Sequence, residues 1–110
     1  MTYTPDQGDI IGLDFDPSSG KEIMKRRPAF VISRKAFNEH TGLAIVAPIT
    51  HSIRNISLEV VLSNGIKTGG AVLVHQLKSL DFAERKVELI EKTSQDIINQ
   101  VTKLAKIIVQ

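Results

Sequence analysis

Short apolar runs, each bounded by turn-forming residues, fill most of the chain up to Lys92. Gly, Pro, Asn, Asp and Ser separate these runs, and Asn64-Gly65 is a strong signature of a tight turn. Short strands at this spacing are typical of a small β-barrel. The pattern predicts six or seven strands, at Asp9–Phe15, Ala29–Ser33 (with Pro28 at its start), Leu43–Ile49, Ser57–Leu62, Ala71–Val74, Leu77–Leu80 (an extension of the preceding strand or a crossover) and Lys86–Ile90.

The apolar period changes from two residues to 3.6 after Lys92, which predicts an amphipathic helix at about residues 94–107. Thr93 and Asp96 are its expected N-cap pair. The segment Lys35–Gly42 is interpreted as a connection. The expected fold is mainly β (α+β), a small barrel with a C-terminal helix covering an open face of the sheet. The apolar face of that helix comprises Ile97, Ile98, Val101, Leu104, Ala105 and Ile108.

Length and composition narrow the class of protein. A chain of 110 residues predicts a single domain over residues 1–110. The absence of cysteine excludes disulfides and thiol catalysis, and it fits a cytoplasmic location. We expect neither a signal peptide nor a membrane span, because no apolar run approaches the roughly 18 residues that a span needs.

Charge is unevenly distributed, although the net charge is only +2. Lys21–Lys35 contains six basic residues and one acid, Glu22. This local positive field suggests a polyanion or an acidic peptide as partner. A solvated basic loop is an equally good interpretation of the charge alone.

Five side chains in the strand ends and the basic loop are suited to phosphodiester chemistry. The guanidinium of Arg27 can neutralise charge on phosphate oxygens, and the Thr50 hydroxyl can donate to them or cap a turn. His51 and His75 can exchange protons near neutral pH, and Glu22 can act as a base or pair with a cation. Each of these residues also has a purely structural interpretation.

Other chemical signatures are weak. Asp14 and Asp16 flank Phe15 and would share one face of a strand, but two carboxylates alone do not define a metal site. The sequence has no glycine-rich phosphate loop, and its few aromatic residues argue against a broad base-stacking surface.

Taken together and in order, a set of short motifs resembles the MazF/PemK/Kid family of toxin endoribonucleases. Singly they are weak, but their order and spacing from about residue 5 to residue 80 are specific. Ala36-Phe37-Asn38 and Val46–Thr50 most resemble the ChpB branch. The motifs are Gly8-Asp9, Asp14-Phe15-Asp16-Pro17, Gly20 with Glu22, Arg27-Pro28-Ala29, Ser33, Thr41-Gly42, Pro48-Ile49-Thr50, Glu59–Leu62, Gly70, and Gln76 with Lys78-Ser79.

The resemblance implies an SH3-like barrel that acts as a homodimer and is inhibited by a cognate antitoxin. It implies sequence-specific cleavage of single-stranded RNA, without a metal or other cofactor. Arg27 and Thr50 then correspond to the catalytic pair, with Glu22 also implicated. Several relatives have Asp at the position of His75, so the general base stays open between His75 and Glu22. The residues expected to bind RNA are Phe15, Asp16, Lys25, Arg26, His51, Gln76 and Lys78.

Two other functions remain open at this stage. A barrel of the same family can bind nucleic acid or a partner protein without catalysis. A related barrel family acts on DNA gyrase, which is a third interpretation.

Overall fold

The computed structural model describes residues 3–13, 27–62 and 65–110. Within these ranges the chain forms seven strands, two α-helices and one 3-10 turn. In chain order the elements are β1 (Asp9–Leu13), β2 (Arg27–Val31), α1 (Lys35–Thr41), β3 (Leu43–Thr50), β4 (Glu59–Val61), β5 (Ala71–Leu73), the 3-10 turn (Val74–Gln76), β6 (Lys78–Asp81), β7 (Glu88–Lys92) and α2 (Gln95–Val109).

The described strands pair antiparallel throughout, in the order β4-β5-β3-β2-β1-β7, and β6 also pairs with β3. β3 therefore has β2 along one edge, while β6 and then β5 follow its other edge. The predicted mainly β (α+β) class is confirmed. Within the described residues no ladder joins β4 to β7, so hydrogen bonds do not close the barrel.

The segment that pairs with this second edge of β3 contains an insertion between β5 and β6. Val72 lies opposite Ile49 and Lys78 lies opposite Val46. From Ile49 to Val46 β3 covers three residue positions, whereas the segment paired with it covers six, from Val72 to Lys78. The 3-10 turn Val74–Gln76 accommodates the three extra residues.

Pro48 lies where this insertion interrupts the ladder. Ile32 N donates to Ile45 O at 2.8 Å, so Ile45 directs its backbone polar groups toward β2. Because these groups alternate along an antiparallel strand, Val46, Pro48 and Thr50 direct theirs toward β6 and β5. Proline has no N–H to donate, so the interruption beside Pro48 leaves no strand donor unpaired there.

Alternation along the strands produces two apolar clusters, one on each face of the sheet. The first contains Phe30, Ile49 and Val72 and receives α2, which buries Ile97 and Val101 against it. β1 to β5 all contribute to this cluster, as in a barrel-like fold. The second cluster, on the opposite face, comprises Ile11, Leu13, Ala29, Val31, Ala44, Val46 and Leu80.

α2 confirms the predicted C-terminal amphipathic helix, with two differences. Its N-cap is Ser94, whose hydroxyl accepts from Ile97 N, whereas the Thr93 hydroxyl donates to Gly8 O at 2.7 Å. Thr93 was wrongly predicted as the cap because Thr93 and Ser94 both have a hydroxyl, and only the tertiary contact of Thr93 with Gly8 distinguishes them. Ile108, which was predicted on the apolar face, is 38% exposed. Neither helix in the described part of the chain is long and apolar enough to cross a membrane.

The segment predicted as a simple connection before β3 is instead the helix α1. It ends at Gly42, which adopts the left-handed conformation at φ 76°. Asn38 on this helix is fully buried and donates to Pro5 O at 2.7 Å. It also accepts from the Ser33 hydroxyl at 2.6 Å. A buried amide rather than an apolar stripe anchors α1, so apolar periodicity did not predict the helix.

Most strand boundaries differ from the prediction by one or two residues. β2 begins at Arg27, one residue before the predicted start at Pro28, and Arg27 lies opposite Leu13 of β1. β7 begins at Glu88, because Lys86 lies in a turn with φ 50°. Phe15, the predicted end of β1, lies outside the described residues.

A buried carboxylate fixes the N-terminal segment to the sheet. Asp9 is 2% exposed and accepts from Lys92 Nζ at 2.9 Å, from Asp6 N at 3.1 Å, and from the Tyr3 hydroxyl. Burial, the hydrogen bond to Asp9 and the nearby negative charge of Asp9 and Asp6 together raise the pKa of Tyr3.

We expect this arrangement to be lost in alkali. Because the folded pKa of Tyr3 is raised, its contribution to stability is complete below the unfolded pKa of about 10 and falls as pH rises above it. Urea unfolding between pH 8 and 11 should show a decline in the free energy of unfolding that is less steep in Tyr3→Phe. Equal slopes in the two proteins would contradict the raised pKa.

Candidate active site

Arg27 and Thr50 lie at the ends of two neighbouring strands, Arg27 at the start of β2 and Thr50 at the end of β3. Ala29 of β2 lies opposite Pro48 of β3. Continuing this register by two residues, within the bounds of both strands, brings Arg27 opposite Thr50. Directly opposed residues project from the same face with Cβ atoms about 5 Å apart. The exposed guanidinium and the half-buried hydroxyl can therefore contact one anionic group.

The sequence holds both residues in place through their neighbours. Pro28 restricts Arg27 to extended backbone, which suits the first position of a strand. The Thr50 Oγ1 accepts from Ser52 N at 3.1 Å, so the hydroxyl caps the turn that ends β3. That turn-capping role was one of the two predicted for Thr50, and a hydroxyl that accepts one bond still has its proton to donate.

Gly70 lies directly against the backbone of Thr50. Gly70 has φ +104°, and a Cβ built there would lie 2.1 Å from the Thr50 carbonyl oxygen. The next residue, Ala71, pairs with Thr50 in the ladder. Gly69 is also close, since a Cβ there would lie 4.0 Å from His51 Nδ1. The loop before β5 thus contacts the strand end that carries the candidate hydroxyl.

The loop after Thr50 is organised by a carboxylate. Glu59 accepts backbone N–H groups of Arg54, at 3.1 and 3.2 Å, and of Asn55, at 2.9 Å. Asn55 has φ 57°, a conformation that asparagine tolerates. His51 is exposed at the start of this loop. It is therefore accessible beside Thr50, as the predicted RNA contact requires.

His75 and Gln76 are exposed on the 3-10 turn, outside the edge of β3. The turn lies two to four residues back along β3 from Thr50, or roughly 7 to 13 Å at 3.3 Å per residue. Among the described residues, no hydrogen bond joins His75 to Arg27 or Thr50. His75 therefore lies farther along the same edge of β3 as Thr50, without a hydrogen bond to the proposed pair.

Lys78 is exposed on β6 opposite Val46, farther along the same edge. The other predicted site residues are not placed. Phe15, Asp16, Glu22, Lys25 and Arg26 lie outside the described residues. The structure thus brings Arg27, Thr50 and His51 together and aligns His75, Gln76 and Lys78 along the adjoining edge.

Glu91 was not predicted, although it holds the loop that contacts Thr50. Its carboxylate accepts from Lys67 N at 3.0 Å and from both the N and the hydroxyl of Thr68 at 2.6 Å. The Thr68 hydroxyl is the main cause of the lowered pKa of Glu91, while partial desolvation opposes it. These partners are more than twenty residues from Glu91 in the chain, and no local sequence pattern signals such a contact.

The described residues contain no group of three or more His, Cys, Asp or Glu side chains arranged to hold a metal ion. What they offer is a cation and a hydroxyl on one face, with imidazoles nearby. This set can bind a phosphate group and move a proton.

Comparison with known proteins shows similarity of the whole chain to toxins. Residues 6–109 match the family described as the PemK-like, MazF-like toxin of type II toxin-antitoxin system. The endoribonuclease toxin MazF of Escherichia coli strain K12 is 41% identical over 83 residues, covering 76% of this chain and 74% of that protein. The endoribonuclease toxin ChpB of the same strain is 33% identical over 101 residues, covering 86% and 85%.

Solved structures superpose on nearly the whole of this chain. A MazE–MazF crystal structure from Deinococcus radiodurans superposes with a TM-score of 0.89 at 32% identity, covering 98% of this chain and 97% of that one. The toxin MazF-mt6 of Mycobacterium tuberculosis has a TM-score of 0.71 at 18% identity, covering 92% and 95%, and shares the fold.

The contact between Gly70 and Thr50 yields a prediction about stability. Gly70→Ala should lower the free energy of unfolding more than Gly65→Ala does. Both glycines have positive φ, at +104° and +84°, so both variants carry the cost of that backbone conformation, about 1–3 kcal/mol. Only at Gly70 does the new Cβ collide with backbone, since the space around Gly65 is open. Urea unfolding of the two variants measures the difference, and equal losses would contradict the close approach.

Proposed function

The chain belongs to the family of PemK-like, MazF-like toxins of type II toxin–antitoxin systems, and we propose that it cleaves single-stranded RNA where Arg27 and Thr50 meet. Its curated relatives are endoribonucleases, and it is an RNA-cleaving enzyme. The observation that supports this site best is the β2–β3 register, which pairs Ala29 with Pro48 and, if continued by two residues, aligns Arg27 with Thr50. Cleavage of messenger RNA by such an enzyme inhibits translation and places its action in the cytoplasm.

The proposed reaction is attack by the ribose itself. A base removes the proton of the 2′-OH, and the 2′-oxygen attacks the adjacent phosphorus. The bond from phosphorus to the 5′-oxygen then breaks, and that oxygen receives a proton. Arg27 stabilises the negative charge that builds up on the non-bridging oxygens, because its guanidinium is permanently charged and presents several donors. The Thr50 hydroxyl donates to the same group.

Two groups are candidates for the base. His75 is exposed on the 3-10 turn, along the same edge of β3 that ends at Thr50. Glu22 is the other candidate and lies outside the described residues. An imidazole is well suited to accept a proton at neutral pH, and we propose His75 as the base for that reason.

The proposed RNA path follows the edge of β3 from Thr50 toward Lys78. His51, Gln76 and Lys78 are all exposed along it. Gln76 has the donors and acceptors to read a base edge, and Lys78 can contact phosphate. Phe15, Asp16, Lys25 and Arg26, which lie outside the described residues, remain proposed RNA contacts.

A homodimer and a cognate antitoxin are part of this proposal. The Deinococcus radiodurans relative was solved as a MazE–MazF complex, which supports an antitoxin partner. The excess of basic residues in Lys21–Lys35 favours an acidic antitoxin segment that competes with RNA.

Replacement of the pair tests the site. We expect Arg27→Ala to lower the single-turnover rate of RNA cleavage by about 10²–10³-fold, as the loss of one charge-stabilising donor does elsewhere. Thr50→Ala should lower this rate by a smaller factor, because a neutral hydroxyl contributes less than a charged donor. The assay uses an unstructured RNA in EDTA and follows the appearance of discrete fragments.

The control is Lys103→Ala, which removes an exposed cation on α2, outside the basic segment and the proposed RNA path. It should cleave at the wild-type rate. Folding of all three variants is checked by thermal unfolding. Wild-type cleavage by a folded Arg27→Ala would exclude the proposed site, and absence of fragments with the wild-type protein would exclude the ribonuclease function.

The pH dependence of the rate distinguishes the two candidate bases. A base must be deprotonated to act, so the rate falls as pH drops through its pKa. An imidazole base gives an acid limb between about pH 6 and 7.5, whereas a carboxylate base gives one nearer pH 4–5. We expect His75→Asn to lower the plateau rate and to remove the acid limb between about pH 6 and 7.5. An unchanged profile in His75→Asn would show that His75 is not the base.

A further inference from the structure

A short hydrogen-bonded bridge connects β7 to the loop in front of β5. The two oxygens of Glu91 accept three hydrogen bonds from Lys67 and Thr68, all between 2.6 and 3.0 Å. Two residues later in this loop, Gly70 contacts the Thr50 carbonyl, and Ala71 pairs with Thr50. Glu91 is thus connected to Thr50 through one short stretch of backbone.

A β-bulge in β7 orients Glu91 toward this loop. Glu91 lies opposite Ile10 and Leu89 lies opposite Ile11, so Ile90 is the extra residue between them. Without the bulge, Leu89 and Glu91 would project from the same face of the strand. The extra residue moves Glu91 to the face of Ile10, which belongs to the first apolar cluster.

The loop is on that same face. Ile66, one residue before Lys67, packs against the first apolar cluster. The loop is therefore held by an apolar contact at Ile66, by the carboxylate of Glu91, and by the ladder at Ala71. Of these three, only the carboxylate accepts hydrogen bonds from the two residues directly before Gly69 and Gly70.

We propose that Glu91 is a positioning residue for RNA cleavage, which fixes the loop of Lys67–Gly70 against the end of β3 and so holds the Thr50 hydroxyl in its reactive place. Glu91 does not contact the RNA. The lowered pKa of Glu91 agrees with a carboxylate that is bound as its anion. Because Thr50 is catalytic only under the proposed function, the assignment of Glu91 rests on that function.

The first arm of the test measures catalysis. Glu91→Gln keeps one acceptor oxygen and replaces the other by a donor, so at least one of the three bonds is lost. We expect kcat for RNA cleavage to fall about tenfold with KM unchanged within twofold, since small misplacements of reacting groups act on the chemical step. Affinity for an RNA whose 2′-OH groups are replaced by hydrogen should be unchanged.

Variants of the partner residue and a remote control complete this arm. Thr68→Val should reduce kcat as well, and Thr68→Ser, which keeps the hydroxyl, should restore it. In the double variant of Glu91→Gln and Thr68→Val the losses should not add. Glu39→Gln makes the same chemical change on α1, beyond the opposite end of β3, and should behave as wild type.

The second arm does not depend on activity. In NMR spectra, Glu91→Gln should shift the amide signals of Thr50 and Gly70 and speed their hydrogen exchange, while Glu39→Gln should not. A wild-type kcat in Glu91→Gln, a loss confined to KM, or unchanged Thr50 signals would overturn the proposal. If the wild-type protein cleaves no RNA, the proposed function fails, and the NMR arm still shows whether Glu91 fixes the strand end.

Discussion

The ladder hydrogen bonds on both edges of β3 are the constraint on which the rest of the structure depends. β2 pairs along one edge, and β6 and β5 pair along the other, so neighbours fix β3 from both sides. The end of β3 at Thr50 is held by its pairing with β5 and by the register that aligns it with Arg27. A one-residue slip of β2 against β3 would turn Arg27 to the opposite face. The two apolar clusters prevent that slip, because it would exchange the residues of one cluster with those of the other.

The same strand explains why His75 and Gln76 are exposed. An uninterrupted β5–β6 strand would include both residues in the ladder of β3. Instead the chain carries three extra residues at this point, and Pro48 offers no donor to the interrupted edge. Val74 remains buried, with its N–H bonded to Leu58 O at 3.1 Å. The insertion thus presents two polar side chains to solvent while the residue before them remains in the core.

Local pattern predicted much of this fold and part of the site. Alternation and turn residues located the strands, and the 3.6-residue period located α2, since both signals come from neighbours in the chain. α1 was missed because its anchor is the buried amide of Asn38, which bonds to Pro5 far away in sequence. The prediction of Thr93 as the N-cap was wrong for the same kind of reason, since the Thr93 hydroxyl donates to the distant Gly8 carbonyl. Glu91 and Gly70 act through tertiary contacts, which periodicity and spacing do not encode.

These features share one physical requirement. A side chain that contacts RNA, as proposed for Arg27 and Thr50, must stay accessible, so the backbone that carries it has to be held in place instead. At Arg27 a following proline and the β1 ladder do this, and at Thr50 a turn and the close approach of Gly70 do it. Carboxylates hold the two loops nearest Thr50, Glu59 after it and Glu91 beside it. Each of these carboxylates satisfies backbone donors that strands do not pair, so exposed loops are held in place without a core of their own.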